Sequence, residues 1–397
     1  IRKNGLVDKK AEIEEAQKLI KECGLHVSPK ETLRNLTVAQ CQLIEIIKAI
    51  SVNAKVIIMD EPTAAITERE VELLFDHIRK LKEKGVAIIY ISHRMAEIFS
   101  ICDRVSVYRD GQYIATDDTA NLTEAQLIKM MVGREITDVY PKLDAEIGDV
   151  IFEAKNITRA DNKVKNVSLA VRKGEILGIG GLAGQGKLGI PNGVMGLYEA
   201  GGTVEFDGKP IALNSPRKCL DSQLAFVSED RRGVGLLLDE SLEWNVAFPA
   251  MQVQNKFLKR MGFFTWRDEK AIHTVTNRYI DELQIKCTGS SQKARELSGG
   301  NQQKVCLAKA FALEPRFLFV SEPTRGIDVG AKALVLEALK KFNRENGVTV
   351  VMISSELEEL RTTCDRIAIV SGGRIVGILP ATESSETFGA LMVSQVK

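Results

Sequence analysis

Glu175-Ile176-Leu177-Gly178-Ile179-Gly180-Gly181-Leu182-Ala183-Gly184-Gln185-Gly186-Lys187-Leu188 is an apolar run that breaks into glycines and closes on a lysine and a leucine. Its first six residues suit a buried strand. The next eight fit GxxxxGK, a loop whose glycines let backbone N–H groups close around phosphate oxygens while the lysine supplies the counter-charge and a helix N-terminus stands behind. The candidate phosphate-binding residues are Gly181, Gly184, Gly186, Lys187 and Leu188. The last of these departs from the pattern, since a Ser or Thr there would ligate magnesium and leucine has no oxygen to offer. As a bare spacing the match is weak, and a ligand-free glycine-rich turn competes with it. Its place between strand and helix gives it weight.

Working outward, the chain repeats itself. Leu36-Thr37-Val38-Ala39-Gln40-Cys41-Gln42 aligns with Leu297-Ser298-Gly299-Gly300-Asn301-Gln302-Gln303 at an offset of 261, which also lays Asp60-Glu61-Pro62-Thr63 on Ser321-Glu322-Pro323-Thr324. At an offset of 262, Ile91-Ser92-His93 meets Ile353-Ser354-Ser355, and Cys102-Asp103-Arg104 meets Cys364-Asp365-Arg366. A repeat this long predicts two copies of one domain. Each copy has an apolar strand (56–59; 317–320), a charged helix (68–84; 329–343) ended by Gly85 or Gly347, and a second apolar strand (86–91; 348–353). Strands without polar alternation predict a parallel α/β sheet with both faces covered. The polar, aperiodic segment 133–148 separates the copies, giving domains 1–145 and 146–397.

In the first copy, Val56-Ile57-Ile58-Met59-Asp60-Glu61 places two carboxylates at the end of a strand. Ligands of open α/β sheets sit beyond the strand carboxyl ends. There Asp60 can hold magnesium through water, Glu61 can orient or deprotonate an attacking water, and His93 can donate to a terminal phosphate. A lone histidine is more often structural, but this one heads a repeated strand.

Composition removes other classes. The chain has 397 residues with 54 Lys plus Arg against 53 Asp plus Glu, so it has no basic excess of the kind nucleic acid demands. No apolar run reaches the roughly 18 residues that span a bilayer. The seven cysteines lie singly, without zinc-ligand spacing, and read as reduced thiols.

Taken together, Leu297-Ser298-Gly299-Gly300-Asn301-Gln302-Gln303, Asp60-Glu61-Pro62-Thr63 and Ile91-Ser92-His93 resemble the signature motif, Walker B and switch histidine of ATP-binding cassette proteins. Residues 323–332, Ser228-Glu229-Asp230-Arg231-Arg232 and Gly133-Arg134-Glu135-Ile136 resemble the fused tandem ATPase subunit of bacterial ribose, xylose and galactose importers. The resemblance implies a P-loop cassette fold in tandem, each cassette built from a parallel core sheet, an antiparallel β subdomain and a helical subdomain. It implies ATP and Mg2+, and a location on the cytoplasmic face of the cell membrane. It also implies sugar permease subunits as partners, with a periplasmic sugar-binding protein acting indirectly.

Paired head to tail, such cassettes would join Asp60, Glu61 and His93 to Ser298, Gly299 and Gly300 in one consensus site. The opposite site would be degenerate. There Leu188 replaces the magnesium hydroxyl, Ser321 the Walker B Asp and Ser355 the switch His. Glu229 stands where a Gln senses the γ-phosphate, Glu322 is the acid, and the facing signature has lost both glycines at Val38 and Ala39. Subtracting 261 from 181 puts the first phosphate loop about 80 residues before Ile1. The 397 residues alone are therefore expected to begin within the first cassette and to hydrolyse ATP weakly. The aromatic stretch within 226–266 is expected to touch the membrane subunit, with simple core packing as its competitor. The rival functions are a soluble tandem cassette unconnected to transport and a non-catalytic nucleotide-gated scaffold.

Overall fold

The computed structural model describes residues 2–394 apart from 4–5, 23, 26, 37, 53, 64–67, 93, 110, 133–145, 183 and 328. The chain divides into two compact units, Ile1–Glu135 and Ile136–Lys397.

In the first unit α1 (Lys9–Glu22) packs on α2 (Val38–Ser51) through Ile20, Leu43 and Ile47. β1 (Val56–Asp60), α3 (Glu68–Glu83) and β2 (Ala87–Ile91) form the strand–helix–strand unit read from the sequence, with parallel register from Val56↔Ala87 to Asp60↔Ile91. Leu74, Phe75 and Ile78 of α3 bury against Ile57 and Met59. α4 (Met95–Ile101), the antiparallel ribbon β3 (Arg104–Arg109) and β4 (Gln112–Asp118), and α5 (Glu124–Val132) complete the unit. One expectation fails here. The two parallel strands are covered on one face only: Ile57 and Met59 are 5% exposed, whereas Val56 and Ile58 are 53% and 66% exposed. The reason is visible in the second unit, where a separate sheet seals that face; among its described residues the first unit has no such layer.

The second unit has two sheets. β5 (Val150–Arg159), β6 (Val167–Arg172), β8 (Ala200–Phe206) and β9 (Lys209–Ile211) make an antiparallel sheet in the order β9-β8-β5-β6. β7 (Ile176–Gly180), β10 (Leu224–Val227), β13 (Phe317–Ser321), β14 (Thr349–Ile353), β15 (Arg366–Ser371) and β16 (Arg374–Pro380) make the main sheet in the order β10-β13-β14-β7-β15-β16. Its pairs are parallel except β15–β16. Every residue of β7, β13 and β14 is buried, as parallel strands covered on both faces require. Between the sheets, Phe152 stacks on Phe317 at 4.4 Å, with Phe206, Phe319, Val351 and Ile353 in the same core. On the other face lie α9 (Gly299–Phe311) and α10 (Val329–Asn346), whose Phe311 and Phe342 rings stack at 3.6 Å. α7 (Leu242–Gln254) and α8 (Glu269–Glu282) pack beside α9, joined by a hairpin of β11 (Leu258–Met261) and β12 (Phe264–Arg267).

Candidate functional site

β7 lies between β14 and β15, so the loop leaving it emerges at the carboxyl ends of the central parallel strands. Residues 181–188 then enter a short helix, α6 (Gly189–Val194). Two glycines here are sterically obligatory. Gly181 has φ +144°, and a Cβ on it would lie 2.3 Å from the Val370 carbonyl oxygen; Gly186 has φ +95°, and a Cβ would lie 2.0 Å from that of Lys163. Both approaches are shorter than any real Cβ contact, so only glycine fits. Gly184, at φ +79°, meets no such obstruction.

Lys187 is buried beneath this loop. Its ammonium donates to the Gly181 carbonyl (2.9 Å) and the Ser355 hydroxyl (2.8 Å), and lies 3.7 Å from Glu322 Oε1. Burial pulls its pKa below the ordinary lysine value, against the opposing pull of the Glu322 charge. Glu322 in turn accepts from the Ser355 hydroxyl (2.5 Å) and backbone N–H (3.2 Å). The lysine, acid and serine singled out from sequence therefore meet in one hydrogen-bonded cluster.

Other members are placed differently. Leu188 packs toward the core between the sheets. Ser321 Oγ, in the position Asp60 holds in the repeat, is buried without a hydrogen-bond partner. Glu229 follows the end of β10, and its carboxylate accepts from Ser228 Oγ at 3.4 Å. Ser298 is the N-cap of α9, but its hydroxyl accepts from Asn301 (3.0 Å) and no backbone N–H, while Gly299 and Gly300 form the first turn. In the first unit Asp60 ends β1 and is exposed, and Glu61 follows it. His93 lies outside the described residues.

Two features escaped the sequence reading. Glu61 and Glu322 are both in the left-handed region, at φ +48° and +47°, and each donates its backbone N–H to the last residue of the neighbouring strand, Ile91 O (2.9 Å) and Ile353 O (2.7 Å). A non-glycine residue in this conformation is uncommon and concentrates at functional sites. Behind each stands a buried carboxylate. Glu97 accepts from Thr63 (2.7 Å), Tyr90 (2.8 Å), Ser92 (3.0 Å) and Arg94 (2.8 Å). Glu359 accepts from Thr324 (2.6 Å) and Ser354 (2.9 Å), with Lys332 at 3.3 Å. The offset of 262 that pairs Ser92 with Ser354 also pairs these acids, a signal legible in the sequence.

A family model described as ABC transporter matches residues 164–325. The ribose import ATP-binding protein RbsA 3 of Rubrobacter xylanophilus is 41% identical over 385 residues, 97% of this chain and 76% of that protein. The chain belongs to the ATP-binding cassette family. A second ribose import ATP-binding protein, from Lactococcus lactis subsp. cremoris, is 42% identical over the same shares. A putative ribose/galactose/methyl galactoside import ATP-binding protein of Agrobacterium fabrum is 40% identical over 96% of this chain and 73% of its own length. Among solved structures, a dimeric cassette in a post-hydrolysis state with ADP and Pi superposes with TM-score 0.50 at 23% identity, covering 59% of this chain and all of that one. A nucleotide-free cassette gives 0.50 at 19% identity, covering 62% and 96%; both speak for the fold.

This cassette ATPase hydrolyses ATP and uses Mg2+. The loop fits the nucleotide: Gly181 and Gly186 cannot bear a Cβ, and a buried ammonium lies beneath it. Around that loop the fit to Mg2+ is poor, because Leu188 offers no oxygen and Ser321 only a hydroxyl.

Proposed function

We propose that the chain is the ATP-binding subunit of a bacterial monosaccharide importer. On this reading it carries two fused cassettes and drives a membrane permease fed by a periplasmic sugar-binding protein, from the cytoplasmic face of the membrane. The sugar class is supported by the names of its relatives. Among the described residues no helix is long and apolar enough to cross a membrane, which suits a peripheral subunit. In the second unit an apolar groove of about 410 Å3 beside Ser228, with Leu237, Phe248 and Leu313 in its wall, offers the permease a seat.

The proposed division of labour is unequal. Asp60 would hold Mg2+ and Glu61 would take the proton of the attacking water. His93 would donate to the terminal phosphate, with Ser298, Gly299 and Gly300 completing that site through helix N–H groups. The second site would use Gly181, Gly184, Gly186, Lys187 and Glu229 to bind nucleotide without rapid turnover. What carries this reading is the Lys187–Ser355–Glu322 cluster: the acid is already bonded to the serine that stands in the histidine position.

Reconstitution of the full-length protein with a candidate monosaccharide permease and its sugar-binding protein tests the proposal. ATP hydrolysis should rise several-fold when sugar-loaded binding protein is added, and sugar should accumulate in the same vesicles. Hydrolysis indifferent to permease and sugar would favour the soluble cassette instead.

A further inference from the structure

Between α7 and α8 the β11–β12 hairpin carries Phe263 and Phe264, the two most exposed aromatic rings among the described residues, with Trp266 beside them. Phe263, at the turn, is fully exposed, Phe264 is 75% exposed and Trp266 45%. Phe264 and Trp266 alternate along β12 and so share one face, with Trp266 opposite Lys259 in register. The aromatic stretch is therefore not core at this end: Trp244 and Phe248 pack inward, while these three rings project.

Cations collect behind the rings. Residues 256–270 contain Lys256, Lys259, Arg260, Arg267 and Lys270 against Asp268 and Glu269, a net charge of +3 in a chain whose total is +1. Lys259 pairs with Asp268 (3.0 Å), Arg267 with Glu269 (2.8 Å) and Lys256 with Glu314 (2.6 Å), so once Glu314 is counted the five cations face three acids and the local excess is +2. Arg260, exposed and opposite Thr265, meets the Asn255 amide oxygen at 3.4 Å.

From the turn toward the base the order is Phe263, then Phe264 with Met261, then Arg260 with Thr265, then Trp266 with Lys259, so apolar rings at the apex give way to cations interleaved with the tryptophan. That order complements a bilayer surface, where apolar chains lie under an anionic headgroup layer and where Trp, Phe and Arg concentrate. Four-residue strands rise about 13 Å, enough to carry the apex below the headgroups with the base still in water.

We propose that the β11–β12 hairpin inserts Phe263, Phe264 and Trp266 into the interface of an anionic lipid membrane, with Arg260 and its basic neighbours on the headgroups. The inference extends the membrane location proposed above, but its test needs neither permease nor sugar, so its failure would bear on the hairpin alone.

The chain has two tryptophans. A Trp244→Phe variant leaves Trp266 as the sole reporter. Its emission should shift to the blue and be quenched by brominated acyl chains in vesicles containing one-third phosphatidylglycerol, and respond little to pure phosphatidylcholine. Adding Phe263→Ser and Phe264→Ser should cut vesicle partitioning about ten-fold, and Arg260→Glu should remove the preference for anionic lipid. Nucleotide binding should not change in either variant, which confirms folding. Unmoved Trp266 emission, or equal partitioning of the double variant, overturns the proposal.

Discussion

β1 and β2 of the first unit and β13 and β14 of the second are one structure in two settings. Val56, Ile58, Ile89 and Ile91 stand in the repeat where Phe317, Phe319, Val351 and Ile353 stand; the first four are 47–66% exposed and the second four are wholly buried. Yet the acid that follows each first strand has the same backbone. Glu61 and Glu322 agree within a degree in φ and donate to the same strand end. The geometry of the acid is therefore set locally, by the strand pair and the buried Thr–Ser–Glu network behind it, and not by the sheet packed on the outer face. What differs is the surrounding chemistry: Asp60 against Ser321, and His93 against Ser355.

The largest effect should separate the two acids. In the full-length protein Glu61→Gln should lower hydrolysis by at least about 100-fold, the usual worth of a general base, while Glu322→Gln should cost less than two-fold in steady-state turnover. Equal losses would make the sites equivalent and end the asymmetry.

Packing offers the next contrast. Phe319→Ala should destabilise the second unit by about 3–5 kcal/mol, because it empties a fully buried ring site between two sheets. Ile58→Ala, at the equivalent position, should cost below about 1 kcal/mol in this chain, as exposed substitutions do. Urea unfolding of both variants is the measurement. A large loss at Ile58 would mean that the face is covered.

The two buried carboxylates should respond oppositely to pH. Burial raises the pKa of Glu97, but hydrogen bonds from Thr63, Tyr90, Arg94 and Ser92 outweigh it and hold the group below its ordinary 4.5. For Glu359 burial wins and the pKa is raised, despite Thr324, Lys332 and Ser354. A lowered folded pKa gives stability that is complete above the unfolded value and is lost as pH falls through the folded one. A raised pKa gives stability that is complete below the unfolded value and is lost as pH rises. Glu97→Gln should therefore cost most near neutrality, about 1–3 kcal/mol, and least below pH 4.5. Glu359→Gln should cost less at neutrality than in acid. Thermal unfolding from pH 3.5 to 7 would show the two differences crossing.

Much of this was legible in the sequence because the repeat is written in polar residues at strand ends. The strand–helix–strand units followed from motif spacing, and the residue types at Leu188, Ser321 and Ser355 could be read directly as departures from the pattern. Burial of β1 did not follow, because an apolar strand looks the same whether one face is covered or two. The left-handed glutamates were equally hidden: nothing in Asp-Glu-Pro or Ser-Glu-Pro announces φ near +48°, which the hydrogen bond to the adjoining strand imposes.

Ser355 sharpens the comparison at its finest grain. Its hydroxyl donates to Glu322 and accepts from Lys187, so it ties the ammonium to the acid within the second unit. A phosphate entering the loop must compete for that ammonium. Ser355→Ala removes one competitor at the net cost of a single hydrogen bond, about 1 kcal/mol, so ATP affinity at the second site should rise about five-fold. Calorimetric titration in the Glu61→Gln background, where turnover is suppressed, isolates the effect. A fall in affinity would instead show Ser355 to be a direct phosphate contact that substitutes for the absent histidine. The two units would then differ in the group that meets the phosphate, not in whether one does.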